Sequence, residues 1–181
     1  MLISTGQAAS LLGLGRAAVV KLLATGLLID QSAAGTRFAK IDLDAVQELA
    51  AFPTPEVSPD DGPVVAVHIS AEAIAAEGRT TGWSASAAAE TPDHAARRWV
   101  GAWPISADGA ASLIGGLVVP DVAGIVVAPP RRILAVRRDG DRVSFDTSAV
   151  ANRAARRYTG HRFQSRAGNL LQRLDQEWGS S

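Results

Sequence analysis

A proline-rich stretch, "FPTPEVSPDDGP" from Phe52 to Pro63, is the feature that most limits how this chain of 181 residues can fold. It contains four prolines and one glycine. Proline fixes φ and has no backbone N–H to donate, so neither a helix nor a central strand continues through the stretch. We therefore predict an N-terminal unit over residues 1–52, a linker over 53–63 and a larger C-terminal unit over 64–181.

Two short helices joined by a glycine turn are predicted to open the N-terminal unit. Ser4 or Thr5 can cap the first helix, and the following "GLG" breaks it. The second helix is predicted over residues 16–24, because apolar residues such as Val19 and Leu22 fall on one helical face.

After these helices the sequence predicts a hairpin and a third helix. The stretches "LLID", "QSAAGT" and "RFAKI" indicate a strand, a turn and a returning strand. Asp42 or Asp44 can cap a third helix that continues through Leu49. Two helices, a hairpin and a helix in this order are typical of a winged helix-turn-helix.

Residues 2–52 resemble the excisionase-type DNA-binding domains, which are relatives of the MerR-type winged helix-turn-helix. The matching stretches are "STGQAASLLGLGRAAVVKLLATGLL" and "GTRFAKIDLDAVQEL". The resemblance implies that the second helix enters the major groove of double-stranded DNA and that the hairpin contacts the adjoining backbone or minor groove. It also implies that Phe38 is a buried aromatic of the hairpin. The residues that it implies at the DNA are Arg16, Ala17, Ala18, Lys21, Gly35, Thr36, Arg37 and Lys40.

The second helix departs from this family at the positions that would recognise bases. Family members usually have serine or threonine where Gly15 stands, and polar residues where Ala17, Ala18 and Val20 stand. Alanine can touch a thymine methyl group but donates no side-chain hydrogen bond, and few phosphate contacts predict weak binding by a monomer. We therefore expect a homodimer or a second DNA-contacting region. The alternative is a helix-turn-helix used for protein contacts, as in an antitoxin.

The C-terminal unit is predicted to be α+β, with a small and mainly antiparallel sheet. Strands are predicted at "VVAVHI", "VAGIVVA", "RILAVRR" and "DRVSFD", and Asp139-Gly140 is the predicted hairpin turn. Thr91 can cap one helix, and Thr147 or Ser148 another that runs through Arg157. The stretches "SAEAIAAEG" and "RAGNLLQRLDQEW" are also predicted to be helical.

Charge is distributed unevenly along a chain whose net charge is zero. Residues 53–128 contain three arginines and nine acidic residues, whereas residues 129–166 contain ten arginines and three aspartates. Three of these arginines, at i, i+3 and i+4, fall on one helical face. The alternative is that the arginines pair with the acidic middle segment. The second candidate nucleic-acid surface consists of Arg153, Arg156, Arg157 and Arg162.

Three of the four tryptophans, Trp83, Trp99 and Trp103, lie close together in the sequence. They predict either a core in which large rings pack or an aromatic pocket whose rings stack on a base.

The stretches "VAGIVV", "DRVSFD", "RRYTGHRF" and "RAGNLL" are similar in order to the tail of PUA-like domains of the ASCH or EVE kind. The resemblance implies nucleic-acid binding, in some members with a modified base in an aromatic cage. The matching positions are Tyr158, Gly160, His161, Gly168 and Asn169.

The sequence predicts neither an enzyme nor a cofactor. The chain has no cysteine, which excludes disulfides, thiolate zinc sites and cysteine nucleophiles. His68, His94 and His161 lack metal-ligand spacing, and no phosphate-binding loop, nucleophile elbow or dinucleotide fingerprint is present. No apolar run approaches about eighteen residues and no targeting segment is evident, so we expect a cytoplasmic protein without a membrane partner.

These patterns predict a DNA-binding protein, acting as a transcriptional regulator or as an accessory factor in recombination. Its C-terminal unit would add DNA contact, dimerisation or ligand sensing. The alternatives are a nucleic-acid reader that holds a base among the tryptophans and a protein-interaction module such as an antitoxin. Exposure of Arg16 and Lys21 would favour the DNA-binding protein, and a pocket walled by tryptophan would favour the nucleic-acid reader. A large apolar patch would favour the protein-interaction module.

Overall fold

The computed structural model describes residues 1–74, 80–85, 90–101, 103, 105–164 and 171–174. Six helices of α type and ten strands in these ranges give a mixed α+β fold, which confirms the predicted class. The strands form two two-stranded sheets and one six-stranded sheet.

Helix α1 (Thr5–Leu12) follows strand β1 (Leu2–Ser4) directly, because Ser4 caps the helix. The Ser4 hydroxyl accepts the backbone N–H of Gln7 at 3.3 Å, and the Gln7 side chain accepts the backbone N–H of Ser4 at 2.9 Å. Such a capping box satisfies two backbone donors that the helix leaves free. Gly13 then ends the helix in the left-handed region, with φ 65°.

Helix α2 (Arg16–Ala24) begins after a turn of three residues and lies at 105° to α1. Its Val19 and Leu22 are fully buried, so the predicted bounds and the predicted apolar face are both confirmed. In the described part of the chain no single helix is long and apolar enough to cross a membrane; α1 and α2 reach that length and apolarity together, across this bend.

The predicted hairpin of "LLID" with "RFAKI" is wrong. Strand β2 (Lys40–Asp42) pairs antiparallel with β1 instead, and Ile41 of β2 is fully buried. The residues between α2 and β2 form a loop that the Asp30 carboxylate stabilises. This carboxylate accepts the backbone N–H of Lys40 at 3.0 Å and that of Ser32 at 2.9 Å. Since a side chain supplies these acceptors, the loop needs no second strand. Helix α3 (Leu43–Ala50) follows with Asp42 as its cap, as predicted.

The large sheet has the strand order β10-β3-β6-β8-β9, and β7 pairs with β6 beside this path. The β3–β6 pair is parallel, whereas the other described pairs are antiparallel, which confirms a mainly antiparallel sheet. The strands are β3 (Val64–His68), β6 (Leu117–Val122), β7 (Ile125–Val126), β8 (Arg131–Asp139), β9 (Arg142–Ala149) and β10 (Leu171–Arg173).

Two predicted features of this sheet are corrected. The loop of the β8–β9 hairpin is Gly140-Asp141, because Asp139 pairs with Arg142. The predicted strand "VAGIVVA" is interrupted by a turn in which the backbone N–H of Gly124 donates to the Asp121 carboxylate at 2.7 Å. Ala123 in this turn has φ 54°, in the region that favours glycine.

Three predicted helices also differ from the structure. In "SAEAIAAEG", strand β4 (Ala73–Ile74) pairs with β5 (Thr80–Thr81), and residues 75–78 lie outside the described residues. In "RAGNLLQRLDQEW" the described residues 171–173 form β10. Helix α6 (Asn152–Tyr158) starts later than predicted, because residues 142–149 remain paired with β8.

Two further helices are short. Helix α4 (Pro92–Ala96) has Thr91 at its cap position, as predicted, and α5 (Ala107–Ala111) is capped by the Ser106 hydroxyl. Both belong to the connection between β5 and β6.

Apolar packing covers both faces of β3, as its unbroken apolar pattern predicts. Val65 and Val67 belong to the larger apolar cluster, and Val64 and Ala66 to a smaller cluster on the other face. The larger cluster also contains residues of the N-terminal unit, among them Ile3, Val19 and Ile41. Apolar packing is therefore continuous between the two predicted units.

Hydrogen bonds join the two predicted units at the ends of α1 and α2. The Arg162 guanidinium donates to the Leu12 carbonyl at 2.6 Å, and the Ala85 backbone N–H donates to the Thr25 carbonyl at 2.8 Å. These acceptors are among the last carbonyls of a helix, which have no partner within it.

Residues 53–63 lie against the C-terminal unit and contain one turn of 3-10 helix, Pro59–Asp61. The Pro53 carbonyl accepts the backbone N–H of Arg162 at 2.9 Å, and Asp61 is buried. That this segment separates two domains stays a prediction.

Candidate functional site

Helix α2 presents its N-terminal half to solvent. Arg16, Ala17 and Lys21 are exposed, Ala18 is half-buried, and Val20 is 56% exposed. The opposite face of the helix packs in the core, so the orientation of the helix follows from its apolar pattern. Its exposed surface combines two cations with methyl groups.

Arg16 lies across the start of α1. A Cβ added to Gly6 would come within 3.3 Å of a guanidinium nitrogen of Arg16. The small residue on α1 therefore gives the guanidinium room to lie against that helix. The charge stays at the exposed junction of the two helices.

The loop between α2 and β2 is exposed at Thr36, Arg37 and Lys40. Phe38 is 69% exposed, so the expectation of a buried aromatic is wrong. The Arg37 guanidinium lies 5.6 Å from the centre of the Phe38 ring, within the range of a cation–π contact. Hydrogen bonds from Ser32, followed by that from Lys40, lower the pKa of Asp30, which keeps the loop's carboxylate ionised.

The second candidate surface is divided in the structure. Arg153 and Arg156 are exposed on α6, whereas Arg157 turns inward and pairs with the buried Asp61. Arg162 also turns inward, toward the Leu12 carbonyl. Two arginines of the basic segment thus stay at the surface and two bind within the fold.

Arginines of the basic segment pair with carboxylates of the acidic segment in the described part of the chain. Arg157 pairs with Asp61, and Arg131 pairs with Asp93 at 2.7 Å. Some of the opposite charges of the two segments therefore neutralise each other within the fold.

Trp83 and Trp99 line a cavity of about 380 Å³. Trp103 is buried outside its lining and donates its indole N–H to the Trp99 carbonyl at 3.0 Å. The structure thus brings two of the three tryptophans to one cavity. The wall also includes Glu90, Pro129, Pro130, Arg131, Asn152 and Ala155.

The charged side chains of the cavity are already paired. Arg131 is buried, donates to the Thr147 hydroxyl at 2.9 Å and pairs with Asp93. Glu90 binds both His94, at 2.7 Å, and Arg98. The hydrogen bond with His94 is the largest influence that lowers the pKa of Glu90.

One buried polar atom of a residue that lines the cavity has no partner in the described ranges. The indole nitrogen of Trp99 is buried, and no acceptor reaches it there. A buried N–H donor without an acceptor is unusual in folded proteins and calls for an explanation.

The positions that match PUA-like domains differ in burial and backbone conformation, and two of them are not described. Tyr158 is fully buried, and its hydroxyl donates to Asp61 at 2.9 Å. Burial raises the pKa of Tyr158 most, and the interaction with Asp61 raises it further. Gly160 has φ 73°, and His161 contacts the Thr159 carbonyl at 3.0 Å. Gly168 and Asn169 lie outside the described residues.

A histidine–carboxylate pair is present that the sequence did not predict. His68 Nδ1 lies 2.6 Å from the buried carboxylate of Asp121, and burial raises the pKa of Asp121. The two residues are opposite each other in the parallel β3–β6 pair, and no short motif links them. Among the residues that the structure describes, no group of three or more metal-binding side chains occurs.

Known proteins give no guide to either surface. No known protein family, no curated protein and no solved structure matches this chain. The two resemblances therefore stay predictions, and the exposed face of α2 and the tryptophan-walled cavity are defined by their geometry.

Proposed function

We propose that this chain binds double-stranded DNA through α2 and the loop that follows it. The observation that carries the proposal is the angle of 105° between α1 and α2 across a three-residue turn with two glycines. DNA-binding helix-turn-helix motifs join two helices at about 90–120° through a turn of three or four residues, often with glycine. The second helix then enters the major groove with its N-terminal residues.

The exposed face of α2 suits contact with the DNA backbone more than recognition of bases. Arg16 and Lys21 supply charges for phosphates, and Ala17 supplies a methyl group that can touch thymine. Each phosphate contact releases counterions and makes the affinity depend on salt. The expected binding is therefore weakly selective and salt-sensitive.

The loop after α2 adds a second point of contact. Arg37 and Lys40 are exposed cations beside the exposed Phe38 ring. Apolar side chains next to basic ones are used by proteins that enter the minor groove. Regulation of transcription and assistance in recombination are both roles for such a DNA-binding protein.

The test is binding of the full chain to random-sequence duplex DNA over a series of salt concentrations. We expect Arg16→Ala and Lys21→Ala each to weaken binding about fivefold at low salt and to reduce the salt slope by about one. The matched control is Arg138→Ala, an exposed arginine near the tip of the β8–β9 hairpin. Absence of binding at low salt, or equal losses in all three variants, would contradict the proposal.

The cavity lined by Trp83 and Trp99 bears on a second candidate function, the holding of a nucleic-acid base, but these side chains are 5% and 2% exposed and leave little ring surface for a base to stack on. Its charges speak against a strand, because Glu90 is in the wall and the exposed carboxylate of Asp93 pairs with Arg131 there. Phosphates beside a captured base would meet both carboxylates. Base capture therefore ranks below binding of duplex DNA by α2.

A further inference from the structure

We propose that a basic cavity beside the end of α1 binds a backbone phosphate of the duplex whose major groove α2 enters. The basic cavity has a volume of about 340 Å³ and is lined by Thr54, Glu56, Arg156, Arg157 and His161. The ligand group is a phosphodiester, and the partner is double-stranded DNA. The inference rests on the proposed function, because it adds a contact to the same DNA molecule.

Two hydrogen bonds of Arg162 place the basic cavity beside the turn between α1 and α2. The Arg162 guanidinium donates to the Leu12 carbonyl at 2.6 Å, and its backbone N–H donates to the Pro53 carbonyl at 2.9 Å. The chain neighbours Thr54 and His161 line the cavity. Leu12 ends α1, and α2 begins four residues later. Phosphates that border the groove entered by the start of α2 therefore come close to this part of the C-terminal unit.

The side chains of the wall suit a phosphate. Arg156 is exposed and has no ion pair among the residues that the structure describes. Arg157 is paired with Asp61, yet its side chain is 26% exposed. The Thr54 hydroxyl is a further donor in the same wall. Arginine and threonine side chains are among the groups that proteins use to contact DNA phosphates.

Parts of the wall are held in position by contacts within the fold. The buried Asp61 carboxylate fixes the Arg157 guanidinium at one side of the cavity. Thr54 lies between Pro53 and Pro55, and a following proline restricts a residue to extended backbone. Pro55 itself is buried. Since these residues are ordered before a ligand binds, less conformational entropy is lost on binding.

Glu56 opposes the phosphate and provides a test by gain of affinity. Its exposed carboxylate belongs to the same wall and repels an anion there. Glu56→Gln keeps the size of the side chain and removes the charge, so we expect duplex binding to become about threefold tighter. The control is Asp141→Asn, which removes an exposed carboxylate from the tip of the β8–β9 hairpin and should change the affinity by less than about 1.5-fold.

Two arginines of α6 give a matched comparison of losses. The experiment is binding of the full chain to random-sequence duplex DNA over a series of salt concentrations. Arg156→Ala is expected to weaken binding about fivefold at low salt and to reduce the salt slope by about one. Arg153→Ala removes the same charge one turn earlier, outside the wall, and is expected to weaken binding at most about twofold. Thermal unfolding of each variant shows whether it folds.

Equal losses in the two arginine variants, or no gain in Glu56→Gln, would place the phosphate outside the basic cavity and overturn the inference. Failure of the proposed function gives a different result. If the unaltered chain binds no duplex at low salt, both proposals fail. If Arg16→Ala weakens binding and Arg156→Ala does not, this inference alone is wrong.

Free phosphate is another source of the same ligand chemistry, and titration calorimetry of the full chain with inorganic phosphate distinguishes it. We expect no binding with a Kd below about 1 mM, because one phosphate contact is weak without the rest of the duplex. If inorganic phosphate binds more tightly than that, and Arg156→Ala abolishes this binding but leaves duplex binding unchanged, the cavity is a site for a free phosphate and the inference is wrong.

Discussion

Asp61 has a buried carboxylate to which two side chains of α6 bind. Arg157 pairs with one oxygen, and the Tyr158 hydroxyl donates to the other at 2.9 Å. Asp61→Asn keeps the shape of the side chain but leaves the partly buried Arg157 charge unpaired. We expect a loss of about 3 kcal/mol in the free energy of unfolding, measured with urea.

The control for this prediction is Asp60→Asn, since Asp60 is the exposed neighbour of Asp61. An exposed substitution of this kind changes stability by about 0.5 kcal/mol or less. Equal losses in both variants would mean that the buried pair has no special contribution.

Asp121 predicts a dependence of stability on pH. Burial raises its pKa above the ordinary 3.8, so the folded chain holds a proton that the unfolded chain releases. The free energy of unfolding therefore falls as pH rises from about 4 through the folded pKa. We expect urea unfolding over this window to show a steeper fall for the unaltered chain than for Asp121→Asn. Parallel curves would contradict the prediction.

Single side chains were predicted least well from the sequence. Helical spacing predicts Arg153, Arg156 and Arg157 on one face, but Arg157 pairs with Asp61, whose position the spacing does not contain. Phe38 was assigned by resemblance, and it is exposed in the loop that precedes β2. A contact between side chains that are far apart in the chain produces no local pattern in the sequence.

At the scale of elements, the parallel strands β3 and β6 meet at Gly116. A Cβ on Gly116 would lie 2.0 Å from the Pro63 carbonyl oxygen, whereas one on Gly115 would meet nothing within 4 Å. We expect Gly116→Ala to lower the free energy of unfolding by about 3 kcal/mol through this collision. Gly115→Ala, at φ 84°, costs about 1 kcal/mol from its backbone conformation alone.

Denaturant unfolding of the two glycine variants measures this difference directly. The two substitutions add the same methyl group at adjacent positions, so a larger loss for Gly116→Ala means that the collision costs more than the backbone strain at Gly115. A larger loss for Gly115→Ala would show that the strands can separate at little cost.

Elements with strong local signals were predicted, and those defined by distant pairing were not. The caps Ser4 and Asp42 mark the starts of α1 and α3, and a glycine marks the β8–β9 hairpin. The alanine-rich "SAEAIAAEG" favours a helix locally, yet Ala73–Ile74 pairs with β5. Tertiary pairing overrides propensity there.

For the whole molecule, the continuous larger cluster predicts one unfolding transition. Its members come from both sides of the proline-rich segment, and Arg162 joins α1 to the rest through the Leu12 carbonyl. We expect the calorimetric and van't Hoff enthalpies of thermal unfolding to agree.

Arg162→Ala tests the same prediction by removing a hydrogen bond between the two predicted units. Loss of the bond to Leu12 is expected to lower the transition temperature while the transition stays single, and Arg153→Ala, exposed on α6, serves as the control. Two separate transitions in the unaltered chain would mean that the helix pair unfolds by itself.

Ala17, Ala18 and Val20 give α2 methyl groups where selective DNA readers have donors. On the proposed function, such a protein has little to distinguish one site from about a million competing ones. The DNA sites that it occupies would then depend on the cellular concentration of the protein, or on a second protein that recruits it. Its concentration, rather than the DNA sequence, would determine where it acts.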